Sequence, residues 1–224
     1  MKRIILILLV VLTLHSCGLM KQMTRGEQYA AMYEDMPVTV LVMPPINNTS
    51  NVEAKDLLYT SISRPLAEAG YYVISPLLAM DILKAESAYD AELFIDKPLT
   101  RFKDYFGADA VVFSQIDAWT KIGFGIETKI RYIIKSASSG EVLFDRSCDL
   151  YLDLQQKSGD SSVFSKLVDI AVSAIVTAST DHIVAARKAN YYIFHDIPRG
   201  KYSPRHLQDK GVLVDEKDIE TEVK

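Results

Sequence analysis

The spacing of apolar and polar positions changes along the chain, and each change marks an element. Val38 to Met43 is a continuous β-rich run, the pattern of a strand buried on both faces. It meets Pro44-Pro45, where no amide is available to a sheet, so the stretch that follows is expected to be an irregular, exposed loop. Asn47-Asn48-Thr49-Ser50-Asn51 is a cluster of turn and cap formers, with Glu53 and Asp56 where acids favour a helix start. Leu58, Ile62, Pro65, Leu66 and Ala69 then keep helical spacing up to Gly70, with a kink expected at Pro65. Tyr71 to Ile74 is a second strand, parallel to the first if a right-handed crossover joins them. Ser75-Pro76 opens a helix through about Glu86. Asp96 is expected to cap a shorter one with Leu99, Phe102 and Phe106 on one face and Gly107 at its end, and Ala108 to Ile116 is a third strand.

After a stretch with Trp119, Gly123 and Gly125, expected as a loop, the period becomes two. Ile126, Thr128, Ile130, Tyr132 and Ile134 alternate with Glu127, Lys129 and Arg131, as in a strand with one wet face. Ser138-Ser139-Gly140 is a turn, and Val142, Phe144, Cys148, Leu150, Leu152 and Leu154 alternate along an antiparallel partner. Arg146 falls on that apolar face, and the pattern gives no account of it. Gln155 to Asp160 is a polar connector, and Ser161 to about Ala189 carries apolar residues at helical spacing. The stretch from Tyr191 to Pro204 is expected to fold back over the sheet, and Gly211 to Lys224 to be a charged, frayed tail. The fold class is α/β: a mixed sheet in the order β-α-β-α-α-β-β-β packed with helices, plus a long C-terminal helix.

Length and composition fit one domain with a real core, since 224 residues carry 49% hydrophobic and 24% charged positions. A net charge of -4 and a pI near 5.6 give no electrostatic footprint for nucleic acid, which is set aside as a partner. The amino terminus is more telling. Met1-Lys2-Arg3 and the apolar run Ile4 to Leu12 make a secretory signal too short to span a bilayer. Leu14-His15-Ser16-Cys17 follows and resembles the bacterial lipobox, with His15 departing from the usual small residue. The expected organisation is a signal peptide at 1–16, a lipidated tether at 17–36, an α/β domain at 37–210 and a tail at 211–224. Cys17 is the lipid attachment, a membrane anchor through buried acyl chains. Gly18, in place of the Asp that retains enteric lipoproteins in the inner membrane, favours the outer membrane and its periplasmic face. Cys148 is then the sole remaining thiol, expected as a buried small hydrophobe.

Motifs of chemistry are few. The sequence has no glycine-rich phosphate loop, nucleophile elbow or paired Cys/His spacing, so no cofactor, metal or catalytic residue is assigned. His182, His195 and His206 would need tertiary convergence to hold an ion. Asp104, Asp109, Asp145 and Asp149 are expected on solvent faces or at strand starts. The candidate partner or ligand surface is Pro44, Pro45, Asn47, Asn48, Thr49 and Asn51, whose polar members could meet a ligand at a helix N-terminus or simply cap it.

With the lipobox, the Val40-Leu-Val-Met-Pro-Pro-Ile-Asn-Asn-Thr-Ser50 segment, Pro65-Leu-Ala-Glu-Ala-Gly-Tyr-Tyr-Val73, Phe106-Gly-Ala-Asp-Ala110 and Ala189-Asn190 through Tyr202, nearly the whole mature chain resembles a bacterial lipoprotein family. That family includes a meningococcal genome-derived surface antigen. More distantly, the chain is similar to curli-secretion lipoproteins and to the amino-terminal domain of the Tol-Pal periplasmic protein. The resemblance implies an α/β sandwich, an envelope location, self-association and an accessory role in export or transport, with no catalytic residues to carry over. The expected function is therefore a non-enzymatic, lipid-anchored periplasmic accessory or assembly factor with an envelope protein partner. The alternative is a small-ligand-binding auxiliary lipoprotein of an ABC-type transporter, with a pocket near Asn47 and Trp119. Hydrolysis at the same loop is a third reading.

Overall fold

A computed structural model of the chain describes residues 22–123, 125–153, 178–215 and 218–223. The signal segment, Cys17, the connector from Gln155 to Asp160 and the expected helix from Ser161 to residue 177 lie outside them. Strand β1 (Thr39–Val42) occupies the first apolar run. Asp109 sets its start, accepting from the amides of Val38 and Thr39 at 3.1 and 3.0 Å. β1 does not simply end at the diproline, because β2 (Ile46–Asn47) resumes pairing with the same neighbour, β4 (Ala110–Ile122). Val42 stands opposite Val112 and Ile46 opposite Gln115, so Met43, Pro44 and Pro45 face only Phe113 and Ser114. That one-residue excess is a β-bulge, a place where prolines are tolerated. Pro44 and Pro45 are buried, which corrects the expectation of an exposed loop starting there. The bulge also reverses the facing of the strand, so Leu41, Met43 and Ile46 all enter one apolar cluster.

The helices follow the sequence pattern with local differences. α1 (Arg25–Gln28) and α2 (Ala30–Asp35) lie in the segment expected as a tether ending in one helical turn, and the folding goes further than that turn. The physical reason is aromatic burial: Tyr29, Met32 and Tyr33 enter the body, and Tyr29 stacks on Phe144 at 4.9 Å. α3 (Val52–Ser61) is capped by Asn51, whose Oδ1 accepts from the Ala54 amide at 3.1 Å. It breaks at Ile62 before α4 (Ser63–Glu68), since Pro65 has no amide for the Ser61 carbonyl. β3 (Tyr72–Val73) pairs in parallel with β1, and α5 (Pro76–Ala85) starts with its proline at the first helical position. α6 (Thr100–Phe106) ends at Gly107 in the left-handed region, φ 65°. Asp96 does not cap it and is exposed; Lys97 precedes Pro98 and so disfavours helix, which delays the start to Thr100.

β4 continues past Ile116 through Trp119, so that stretch is strand rather than loop, and turns at Gly123 into β5 (Gly125–Ser136). β5 pairs antiparallel with β6 (Val142–Asp153), with the alternating residues Ile126 to Ile134 buried as the period-two pattern requires. A register slip between Ile134 and Lys135 leaves Val142 exposed while Leu143 and Phe144 are both buried. The final segment is not frayed. β7 (Asp218–Val223) adds in parallel to β6 and buries Val223. The sheet order is β3-β1-β4-β5-β6-β7, with β2 also on β4.

One face of the sheet is covered by α2, α3, α4 and α7 (Ala178–Phe194), around Val40, Val112, Ile130, Leu58, Leu66 and Ile193. The other is covered over β1 and β4 only, by α5 and α6 through Leu83 and Phe102. Across β5 and β6 that second face carries charge, with Arg131 to Asp145 at 2.9 Å and Lys129 to Asp149 at 3.9 Å. The stretch after α7 folds back over the sheet as far as Ile197, with Asp196 on Arg146 of β6, and then runs against the end of α4. Tyr71 Oη donates to Pro198 O at 2.6 Å and the Gly200 amide to Ala69 O at 2.9 Å. Only glycine fits there, because a Cβ on Gly200 would lie 2.5 Å from the Gly70 carbonyl oxygen.

Candidate functional site

The bulge fixes where the Asn-rich loop leaves the sheet. Asn47, half-buried, is consumed by the loop itself: its Nδ2 donates to Asn51 O at 2.8 Å, and its Oδ1 accepts from the Thr49 amide and hydroxyl at 3.1 and 2.8 Å. Thr49 Oγ1 in turn accepts from the Asn51 amide at 3.2 Å. Asn47, Thr49 and Asn51 therefore act as a turn and a helix cap. Asn48 differs. It is exposed and donates to Asp117 Oδ1 at 2.8 Å, an oxygen that also accepts from Gln115 Nε2 at 2.8 Å.

Asn48 also stands on the wall of a groove of about 480 Å³, between the sheet's less covered face and the segment before α6. Ile46, Gln115, Arg131, Ile133 and Lys135 line its sheet side, with Glu92 and Asp96 across from them. Its cations are already engaged, since Arg131 binds Asp145 through two bonds and Lys135 Nζ donates to Ile95 O at 2.6 Å. The groove thus offers neutral amides and negatively charged carboxylates beside cations that are already engaged. Trp119, expected beside Asn47, is buried with its Nε1 donating to His182 Nδ1 at 2.8 Å. A second cavity, about 310 Å³ and mainly apolar, lies between α5 and α6 around Leu83, Phe94 and Phe102.

Arg146 finds its account on the opposite face of the sheet. It is fully buried; Nη1 lies 3.1 Å from Asp196 Oδ2 and donates to Ile193 O at 3.2 Å, and Nη2 lies 3.5 Å from Asp215 Oδ2. Asp196 is shared with Arg25, whose Nη2 lies 3.6 Å from Oδ1, while Arg25 Nη1 donates to Asp209 Oδ2 at 2.9 Å. Asp209 also accepts from the Arg199 amide, and the Asp215 amide donates to Asp196. Burial works to raise the Asp209 pKa, but the hydrogen bonds from Arg25 and the Arg199 amide prevail and hold it below its ordinary value of 3.8. Burial pushes the neighbouring Tyr29 hydroxyl up to about 12, so that it stays neutral. A related polar bridge lies deeper. Tyr132 donates to Asn190 Oδ1, and Asn190 Nδ2 reaches Leu58 O and Ser61 Oγ at 3.1 and 2.8 Å, tying β5 to α7 and α3.

The three described histidines go to separate partners: His182 to Trp119, His206 to Arg199 O, and His195 to Asp196 and Asp215. His195 and those two carboxylates place ligand-type atoms within 4.8 Å of one another. The same oxygens face Arg146 and Arg25, so a divalent cation there would sit beside two guanidinium groups, and the donor set suits an ion-pair network instead. None of this network was assigned from sequence except as the unexplained Arg146. The available signal was that residue itself, a cation at a core-facing position that requires carboxylates from elsewhere in the chain.

Among the described residues, no helix is long and apolar enough to cross a membrane. The family model described as Putative lipoprotein GNA1162-like matches residues 27–198. A Neisseria meningitidis serogroup B (strain ATCC BAA-335 / MC58) protein, Putative lipoprotein NMB1124/NMB1162, is 26% identical over 202 residues, or 86% of this chain and 89% of the relative. The crystal structure of lipoprotein GNA1162 from Neisseria meningitidis is similar over 59% of this chain and 92% of its own, at 22% identity and a TM-score of 0.49. The PelC dodecamer from Paraburkholderia phytofirmans covers 73% of this chain and 88% of its own, at 13% identity and a TM-score of 0.39.

Truncation of Arg146 to Ala leaves Asp196 buried beside a lost partner, and is expected to lower the urea unfolding free energy by about 3–5 kcal/mol. In Arg146→Met/Asp196→Asn the loss is expected to be smaller than in Arg146→Ala; an equal or larger loss would show that the pair is not coupled. Because the folded Asp209 pKa is depressed, its contribution to stability is present above pH 3.8 and disappears as pH falls through the lower folded value. Unfolding free energy followed against pH should therefore drop less steeply on acidification in Asp209→Asn than in the wild type.

Proposed function

We propose that this chain, which belongs to the GNA1162-like lipoprotein family, is a non-enzymatic, lipid-anchored accessory or assembly factor of the cell envelope, attached through Cys17 and facing the periplasm from the outer membrane. The observation that carries the reading is the coincidence of two independent signals. A lipobox-like Leu14-His15-Ser16-Cys17 closes a signal-length apolar run, and the lipoprotein family model begins at residue 27, just beyond it. Gly18 after the cysteine supports the outer membrane. Three of the four singled-out carboxylates have structural tasks: Asp109 caps β1, while Asp145 and Asp149 pair across β5 and β6; Asp104 is exposed on α6, away from the loop. That favours an assembly role over catalysis.

Self-association and an envelope protein partner belong to the same reading, with the loop Pro44 to Asn51 as the contact. Within it the buried prolines set the shape, and Asn48, with Asp117 beside it, presents the polar surface. The groove beside Asn48 favours a second reading, a carrier of a small polar solute for a transporter.

Radiolabelled palmitate is expected in the wild-type chain and absent from Cys17→Ser; label retained in that variant would remove the anchor. In membranes, crosslinking of the full chain should yield oligomers and an envelope protein whose recovery drops in Asn48→Ala. Monomer alone would reject the assembly reading, and a solute that raises the melting midpoint of wild type but not of Asn48→Ala would replace it with the carrier.

A further inference from the structure

The folded body begins very near the proposed anchor. Gln22, the first described residue, stands five positions after Cys17, and a chain of that length reaches at most about 18 Å. What lies at that point of the body is a surface of projecting apolar residues with cations on its carboxy-terminal side, bordered on the amino-terminal side by the exposed acids Glu27, Glu34 and Asp35. Residues 23–26 run beside 210–214: Val214 N donates to Met23 O at 3.0 Å, Arg25 N to Val212 O at 2.7 Å, and Gly26 N to Lys210 O at 2.9 Å. Met23, Val212 and Leu213 project from this ribbon, 44%, 45% and 54% exposed. Lys210 Nζ sits 5.1 Å over the Tyr33 ring, which joins the ribbon to the end of α2. There Met36 and Leu207, both half-exposed, border the same small cleft. Both also hold φ near +50° to +60°, a region that L side chains seldom occupy.

Positive charge gathers on the carboxy-terminal side of this surface. Between residues 199 and 213 stand Arg199, Lys201, Arg205 and Lys210, and the single acid, Asp209, is buried on Arg25. Lys201, Arg205 and Lys210 are all exposed. Large apolar side chains interspersed with cations, within a short reach of acyl chains, are what the boundary of an anionic bilayer selects: apolar groups enter among the headgroups while ammonium and guanidinium groups meet phosphates.

We propose that this surface, built from Met23, Met36, Leu207, Val212 and Leu213 with Lys201, Arg205 and Lys210, lies on an anionic phospholipid leaflet and holds the body in one orientation against it. The proposal rests on the anchor at Cys17 but makes a separate claim, that the body contacts lipid and does not swing free on its tether.

Cys148 is buried, so a single introduced cysteine can carry a fluorophore on the full lipidated chain. With the label at Leu207→Cys or Leu213→Cys, in vesicles of phosphatidylethanolamine and phosphatidylglycerol, a doxyl-lipid quencher is expected to reduce emission. A label at Leu93→Cys, an exposed apolar position beside the α5–α6 cavity, should be spared. Charge reversal at Lys201, Arg205 and Lys210 to Glu should abolish the quenching while palmitate remains on Cys17. Palmitate present with Leu207 and Leu213 no more quenched than Leu93 would overturn the proposal, as would equal quenching in purely zwitterionic vesicles. Quenching of both positions in a chain without palmitate would keep the lipid-facing surface and remove the anchor reading instead.

Discussion

Burial of Arg146 imposes the strongest demand in this fold. A guanidinium with no solvent exposure is tolerable only if carboxylates come to it, and none is available on its own strand face. Asp196, just past the end of α7, and Asp215, before β7, supply them, and Asp196 also meets Arg25 from α1. One charge on the sheet therefore gathers three segments that are far apart in sequence. Desolvation makes such a network costly, and its net contribution to stability is modest. What it does is penalise every arrangement in which one partner is missing. Tyr29, Phe144 and Phe194 stack beside it, with centroids 4.9 and 5.9 Å apart, so the ion pairs and the aromatic packing select the same docking of both chain ends on β6.

That requirement changes the meaning of the ends of the chain. A segment expected as a tether carries Arg25, one of the network's two guanidinium donors, together with Tyr29. A segment expected to fray carries Asp215 and then the strand that extends the sheet. The two are also zipped to each other by backbone bonds between residues 23–26 and 210–214. If the chain is attached at Cys17 as proposed, only five positions separate that anchor from Gln22, and the chemistry of the nearest surface of the body then matters far more than it would on a long linker.

Local pattern was sufficient where local physics decides. The cap at Asn51, the left-handed stop at Gly107, the crossover from β1 to β3 and the alternation along β5 all follow from residue type and spacing, and were legible. Cys148 was expected to be buried and is. The errors share a cause. A proline cannot donate, so Pro44-Pro45 reads as a strand end, yet a bulge needs no donation there and the partner strand continues past it. Whether a bulge or a loop forms depends on what β4 offers opposite, which the diproline itself does not encode. Likewise Gly211 to Lys224 is polar enough to look solvated, and its last strand forms because β6 has a free edge to receive it. Arg146 was legible as an anomaly but its partners were not, since 50 to 121 residues separate it from Asp196 and Arg25.

The same reasoning divides the candidate loop. Its hydrogen bonds are closed among Asn47, Thr49 and Asn51, so these residues specify the shape of the turn, and substitutions among them would act first on the start of α3. Asn48 faces outward, its amide directed to Asp117, where the register of β4 on β5 shifts between Ile116 and Ala118. The diproline controls both outcomes from beneath: the extra residue rotates Ile46 into the core, and that rotation sets which asparagine is turned to the groove and which to the helix. A polar surface is thereby positioned by two buried prolines, which explains why the pattern of the loop alone suggested all six positions while the geometry presents chiefly one.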